Sequence, residues 1–140
     1  MKVSLFYRIA SVLLLLFALG HTIGFRQHDP KWGVESVLGL MQSVHFNVQG
    51  FNRTYWDVFV GAGFFVSVFL VFSAVFAWQL SSLPAETLAL LRGPRWAFAL
   101  CFIAVTILSC RYFFLAPIVF TAAITLCLIA AAWLSPTPTN

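Results

Sequence analysis

The sequence carries very little charge. Only 8 Lys and Arg and 4 Asp and Glu occur among 140 residues, so 9% of the chain is charged, where an average soluble domain has about 25%. Hydrophobic residues make up 61% and include 16 Phe and 5 Trp. A folded sphere of this length could not cover its surface with polar groups. The composition excludes a water-soluble domain and predicts an integral membrane protein.

The sequence also lacks the usual signatures of catalysis and of metal binding. It has no nucleophile triad, phosphate loop or paired-carboxylate motif, and its three cysteines form no CxxC pair. His21, His28 and His45 all fall on the first apolar segment or the loop after it, so no second segment offers a facing haem ligand. We therefore expect no metal and no cofactor, with haem or quinone as the open alternative. No basic cluster with interleaved aromatics lies outside the apolar segments, which argues against nucleic acid as a partner.

The sequence does contain four long apolar stretches. A helix needs about 20 residues to cross the core of a bilayer. We predict spanning helices near 4–24, 55–80, 94–112 and 114–134. The third stretch reaches full length only if Arg95 and Arg111 lie at its ends and extend their side chains to the two interfaces. Unbroken runs such as Val58 to Ala77 lack the alternation of a barrel strand.

The predicted fold is all-α: an integral membrane bundle of four transmembrane helices, formed by residues 1–140 as a single membrane domain. The eight basic residues are balanced, with four on each side of the membrane. Lys2 and Arg8 precede the first helix, which usually dominates orientation, so we expect the N-terminus and the C-terminus to be cytoplasmic.

The connection from residue 26 to residue 54 is predicted to contain a short amphipathic helix in the first extracytoplasmic loop. Asp29 and Pro30 resemble an N-cap and a first-turn proline, and a turn is expected between Asn47 and Asn52. Apolar residues recur behind them at helical spacing: Val34, Val37, Leu38, Met41 and Val44.

Two further patterns concern the ends and faces of the helices. Thr54 and Asp57 form a capping box directly before the second span. Small residues favour close helix packing, which predicts contacts at the Gly20 and Gly24 pair and along a stripe that begins at Gly63.

Polar groups at membrane depth are costly and are therefore candidate functional residues. His21, Asp57 and Arg111 are expected at about the same depth near the outer interface, where they would form either a proton, anion or headgroup site or a hydrogen-bond cluster that ties helix ends together. The catalytic candidates are His21 and Asp57. The candidates for ligand binding are Arg53, Tyr55, Trp56 and Arg111.

Two strings of this sequence resemble a family. Residues 20–24 (GHTIG) and 50–63 (GFNRTYWDVFVGAG) look like small bacterial four-helix membrane proteins of unassigned function. The resemblance covers the first two spans and the loop between them, and it implies a bacterial inner-membrane location. More loosely, the architecture is similar to that of DoxX-type membrane proteins, some of which act as partners of respiratory enzymes.

The sequence supports two main functional hypotheses. The first is a non-catalytic membrane module that binds an amphipathic ligand or a membrane partner protein at its extracytoplasmic face. The alternative is a membrane enzyme or redox accessory acting on a lipid or quinone, with His21 and Asp57 in proton transfer. Membrane lipids are the expected partners in either case, with a homo-oligomer or another membrane protein as further possibilities.

Overall fold

Four long helices dominate the structure, a computed structural model in which residues 2–135 are described. They are α1 (Lys2–Gly24), α3 (Tyr55–Ser81), α5 (Arg92–Tyr112) and α6 (Leu115–Leu134). All four are long and apolar enough to cross a membrane, so the prediction of four such helices is confirmed. Many large apolar side chains are exposed on these helices. Phe65 on α3, for example, is 79% exposed.

The connection between α1 and α3 holds a 3₁₀ turn (Pro30–Trp32), α2 (Glu35–Ser43), β1 (His45–Val48) and β2 (Phe51–Thr54). A second short helix, α4 (Ala85–Leu90), lies between α3 and α5. The chain divides into two compact units. One comprises Met1–Phe17 with Leu70–Asn140, and the other comprises Ala18–Phe69.

In the first unit, hydroxyl side chains bond the helices to one another. Ser11 Oγ donates to the carbonyl oxygen of Ala74 over 2.8 Å, and Thr125 Oγ1 on α6 donates to the carbonyl oxygen of Phe102 on α5 over 2.9 Å. Such bonds hold helices together where lipid provides no hydrophobic drive, at about 0.6 kcal/mol each on average. Thr121 instead bonds the carbonyl oxygen of Pro117 one turn back.

Arg95 corrects one sequence-based expectation. It lies in the first turns of α5 but does not extend to an interface, because its side chain is only 2% exposed. Its Nε donates to the carbonyl oxygen of Leu91 over 3.3 Å. Whether such a side chain is buried depends on which helices pack around it, and the spacing of charges along the sequence does not record that.

In the second unit, the loop helix is present but starts later than predicted. Asp29 caps only the 3₁₀ turn, where its Oδ1 accepts a hydrogen bond from the Lys31 backbone N–H. Gly33 then adopts a left-handed conformation (φ 63°) that ends this turn, so α2 begins at Glu35.

The turn expected between Asn47 and Asn52 is the tip of an antiparallel β-hairpin that the sequence analysis did not predict. Gln49 and Gly50 both have positive φ values, 53° and 86°, as a two-residue hairpin turn requires. Asn47 Oδ1 accepts a hydrogen bond from the Gly50 N–H over 3.1 Å. Within residues 2–135, this small hairpin is the one regular element that is not helical.

Candidate functional site

The second unit contains His21, Arg53, Tyr55, Trp56 and Asp57, five of the six predicted site residues. His21 is one turn before the end of α1. Its Nε2 lies 3.0 Å from the carbonyl oxygen of Gly63 on α3. A carbonyl oxygen only accepts hydrogen bonds, so Nε2 carries the proton and donates it.

The bond to Gly63 sets the level of His21 along α3. Gly63 is six residues beyond Asp57, which is a rise of about 9 Å along the helix. His21 thus contacts α3 beyond the first turn, in which Asp57 lies. The expectation that the two side chains share one membrane depth stays a prediction.

An aromatic cluster surrounds His21. Its ring stacks on Phe25 with centroids 5.2 Å apart, and Phe25 meets Phe64 edge to face at 5.4 Å. The Arg26 guanidinium lies 5.5 Å from the Phe25 ring centre and 5.3 Å from that of Phe64, within the range of a cation–π contact. We refer to His21, Phe25, Arg26 and Phe64 as the aromatic cluster.

Gly63 is the residue that makes room for this cluster. A Cβ atom placed on Gly63 would fall on the Phe25 ring, whereas a Cβ on Gly20 or Gly24 would meet no atom within 4 Å. The predicted close contact at the stripe is confirmed for Gly63. At Gly20 and Gly24 the described residues make no such contact, so packing of this pair against another copy of the chain stays a prediction.

Hydroxyl groups connect the same two helices beside the cluster. Thr22 Oγ1 lies 2.7 Å from the carbonyl oxygen of Ala18 and 2.8 Å from Ser67 Oγ. Ser67 Oγ lies 3.3 Å from the carbonyl oxygen of Gly63, which also accepts from His21. The His21 region is thus a polar junction between α1 and α3.

Asp57 forms the predicted capping box. Its Oδ2 accepts from the Thr54 backbone N–H over 2.9 Å, and its own N–H donates to Thr54 Oγ1 over 3.1 Å. These two bonds satisfy donors that the start of a helix otherwise leaves unpaired. The carboxylate therefore has a structural role at the junction of β2 and α3.

The remaining candidates in this unit contact neighbouring residues through a guanidinium or an aromatic ring. Arg53 Nη1 donates to the carbonyl oxygen of Asn52, and its guanidinium lies 5.5 Å from the Phe51 ring centre. Tyr55 is exposed and packs on Phe46 of β1, with centroids 5.1 Å apart. Trp56 is half-buried against Phe59 at 5.5 Å.

Arg111 belongs to the other unit. It is exposed near the end of α5, and its guanidinium lies 5.9 Å from the ring centre of Tyr112. That its side chain extends to a membrane interface stays a prediction. Its participation in a site with His21 stays a prediction.

Large apolar side chains are exposed on α2, on the hairpin and on the 3₁₀ turn before them. Leu40 on α2 is 62% exposed, and Phe51 on β2 is equally exposed. We name this surface the outer apolar surface, and its side chains are Trp32, Val37, Leu40, Val44, Val48 and Phe51. The helical spacing of Val37 and Val44 was visible in the sequence. The hairpin that adds Val48 and Phe51 was not.

Residues 2–135 contain no group of three His, Cys, Asp or Glu side chains arranged to hold a metal ion. The aromatic cluster offers one imidazole and one guanidinium, a set suited to packing and hydrogen bonding. Sequence analysis missed Phe25, Arg26 and Phe64 as members of this cluster. Their only signal was aromatic density beside His21 and Gly63.

No protein-family model matches the chain, and no curated protein or solved structure is significantly similar to it. The resemblance to small bacterial four-helix membrane proteins therefore stays a prediction.

Proposed function

We propose that this chain is a small multi-pass protein of a bacterial inner membrane that binds an amphipathic molecule at its extracytoplasmic face without transforming it. In this proposal the four long helices form a bundle with both termini in the cytoplasm. The binding face is the outer apolar surface together with the aromatic residues Tyr55 and Trp56. The resemblance of residues 20–24 and 50–63 to bacterial membrane proteins motivates the location.

One observation carries this proposal: the ionisable candidates His21 and Asp57 are engaged in hydrogen bonds within the protein, whereas the side chains of the outer apolar surface are exposed. Asp57 is engaged in a capping box, and the Nε2 of His21 donates to a backbone carbonyl. A general acid or base must be within hydrogen-bond reach of its substrate and exchange a proton with it. These bonds instead favour a structural role for both groups.

The outer apolar surface, in contrast, has large side chains that the described residues leave exposed. Exposed apolar patches with polar rims commonly mark membrane or ligand contacts. Residues 26–57 contain three basic and three acidic side chains: Arg26, Lys31, Arg53, Asp29, Glu35 and Asp57. A segment with balanced charge suits an amphipathic molecule of low net charge better than a strongly anionic partner.

The proposal is tested by native mass spectrometry of the protein released gently from its own membranes. We expect a reproducible added mass of an amphipathic molecule on the wild type, and its loss from Leu40→Gln combined with Phe51→Ser. The matched control is Leu90→Gln on α4, since Leu90 is also apolar and exposed, at 77%. Retention of the molecule by the double variant would refute the assignment of this surface. An added mass equal to a polypeptide would point to a partner protein instead.

A further inference from the structure

An arginine and a tryptophan are in contact on the outside of the first unit. The Arg8 guanidinium on α1 lies 5.8 Å from the ring centre of Trp78 on α3, within the range of a cation–π contact. Two hydrogen bonds hold the helices together at this level. Ser4 Oγ, one turn before Arg8, donates to the carbonyl oxygen of Ser81, and Ser81 Oγ donates to that of Trp78. Both members of the pair are exposed, Trp78 at 52%, so a molecule outside the protein can reach them.

The hydrogen-bond donors of Arg8 are available. Among residues 2–135, the Arg8 guanidinium has no hydrogen-bond acceptor and no carboxylate partner, and its contact with a charged or aromatic group is the one with Trp78. A guanidinium carries five N–H donors in a planar fork that matches the oxygens of a phosphate. An aromatic ring offers these donors no oxygen. The pair therefore presents an oriented cation that can still bind an oxyanion.

Arg8 lies within the part of α1 that has to cross the bilayer core. Positions 8 and 24 are 16 residues apart and α1 ends at Gly24, so the helix beyond Arg8 is about 24 Å long. A core of about 30 Å needs about 20 residues, so the Cα atom of Arg8 is below the headgroups when α1 spans the membrane. Side chains on a helix tilt toward its N-terminus, and the Arg8 guanidinium therefore reaches toward the headgroup layer at that end.

Exposed apolar side chains continue from the pair along both helices. Positions 12 and 15 follow Arg8 at helical spacing, and positions 75 and 71 precede Trp78 at the same spacing. All four side chains are about half exposed: Val12, Leu15, Val75 and Val71. A cation at the headgroup level followed by apolar helix faces is the arrangement that a phospholipid needs, with its phosphate at one end and its acyl chains beyond.

Basic side chains predominate at this end of the first unit. The Ser4 bond shows that α1 begins where α3 ends, and α4 leads from there into the start of α5. Lys2, Arg8 and Arg92 are exposed on these segments, whereas the described part of the unit has one acidic side chain, Glu86. The same end is predicted to face the cytoplasm, where anionic lipids attract basic side chains by about 1 kcal/mol each. Charge complementarity thus favours a lipid with net negative charge.

We infer that Arg8 and Trp78 form a binding site for the phosphate group of an anionic phospholipid. The Arg8 guanidinium donates to the phosphate oxygens, and Trp78 holds the guanidinium in position at the headgroup level, where tryptophan concentrates. The acyl chains lie along the exposed faces of α1 and α3. The site shares no residue with the outer apolar surface and is independent of the function proposed for that surface.

The experiment measures retention of phosphatidylglycerol and of phosphatidylcholine by the purified full-length protein in native mass spectrometry. We expect preference for phosphatidylglycerol. Arg8→Gln should weaken its binding about twentyfold, as expected for loss of a charge-assisted hydrogen bond. The matched control Arg92→Gln removes the same charge from an exposed position without a ring contact and should cost at most about fivefold.

A second pair of variants tests the role of the ring. Trp78→Leu keeps an apolar side chain but removes the cation–π contact, so phosphatidylglycerol binding should fall about threefold, and Trp78→Phe should retain most of it. The control is Trp133→Leu, since Trp133 is also exposed, at 75%, and it should bind like the wild type.

Three results would overturn the proposal. They are equal losses in the Arg8 and Arg92 variants, equal binding by the two leucine variants, and equal retention of the two lipids by the wild type. Displacement of the bound lipid by inorganic phosphate would show a site for free phosphate and would overturn the lipid assignment.

Discussion

The imidazole of His21 donates a hydrogen bond from Nε2 to the carbonyl oxygen of Gly63, 3.0 Å away. This bond joins α1 to α3, and the His21 ring also stacks on Phe25. One side chain therefore connects the two helices and supports the aromatic cluster. We expect its loss to affect stability first.

Replacing His21 by Ala should lower the free energy of unfolding by about 1 to 2 kcal/mol, because an interhelical hydrogen bond and a stacked ring pair are both lost. Thermal unfolding in detergent, followed by tryptophan fluorescence, measures this change. His28→Ala is the control, since His28 is exposed in the loop, and it should unfold like the wild type. Unchanged unfolding of His21→Ala would contradict the structural role.

Gly63 and Gly61 should respond differently to the same substitution. Gly63→Ala places a methyl group on the Phe25 ring and should destabilise the protein, by about 1 to 3 kcal/mol as overpacking typically does. Gly61→Ala meets no atom within 4 Å and should leave stability unchanged or raise it by up to about 1 kcal/mol through helix propensity. Combining Gly63→Ala with Phe25→Ala should recover part of the loss. Equal melting temperatures for the two alanine variants would show that Phe25 does not constrain Gly63.

The two possible roles of Asp57 are separated by the choice of substitution. Asn can still accept the hydrogen bond from the Thr54 N–H, so Asp57→Asn should be nearly as stable as the wild type. Asp57→Ala removes the reciprocal bond of the capping box and should be less stable than both. Thr54→Ala breaks the same box, so the double variant with Asp57→Ala should lose less than the sum of the single variants. Equal destabilisation by Asp57→Asn and Asp57→Ala would show that stability depends on the negative charge at position 57. That result would contradict the capping role.

The contact between α5 and α6 depends on hydroxyl groups. Thr125 Oγ1 donates to the carbonyl oxygen of Phe102 and lies 2.9 Å from Thr106 Oγ1. Thr125→Val should therefore cost about 0.6 to 1.7 kcal/mol, the range measured for such bonds in membranes. Thr87→Val, at an exposed position on α4, is the control. If Thr125→Val has the same melting temperature as the wild type, apolar packing alone holds these helices together.

The sequence was sufficient to predict features that depend on long runs or on local spacing. Charge-free stretches located the four long helices, because a bilayer core tolerates few charges over about 20 residues. The capping box at Thr54 and Asp57 was predictable because both partners lie within one turn.

Features that depend on tertiary contacts could not be predicted. The sequence does not predict the hairpin for two reasons. Its turn contains Gln49, a residue type that seldom adopts positive φ, and each strand has only four residues. The burial of Arg95 and the contact between Gly63 and Phe25 depend on which helix faces which. The sequence of this chain alone does not record which helices face each other.

The most direct test of the central claim, binding without chemical change, compares the molecules that co-purify with two proteins. One is the wild type and the other carries His21→Gln with Asp57→Asn, substitutions that retain hydrogen-bonding groups but remove both proton-transfer candidates. Native mass spectrometry followed by lipid analysis identifies the bound species. A non-catalytic binding protein predicts the same amphipathic molecule on both. A different molecule on the variant, related to the first by one chemical step, would show that His21 and Asp57 act on a substrate and would contradict this account.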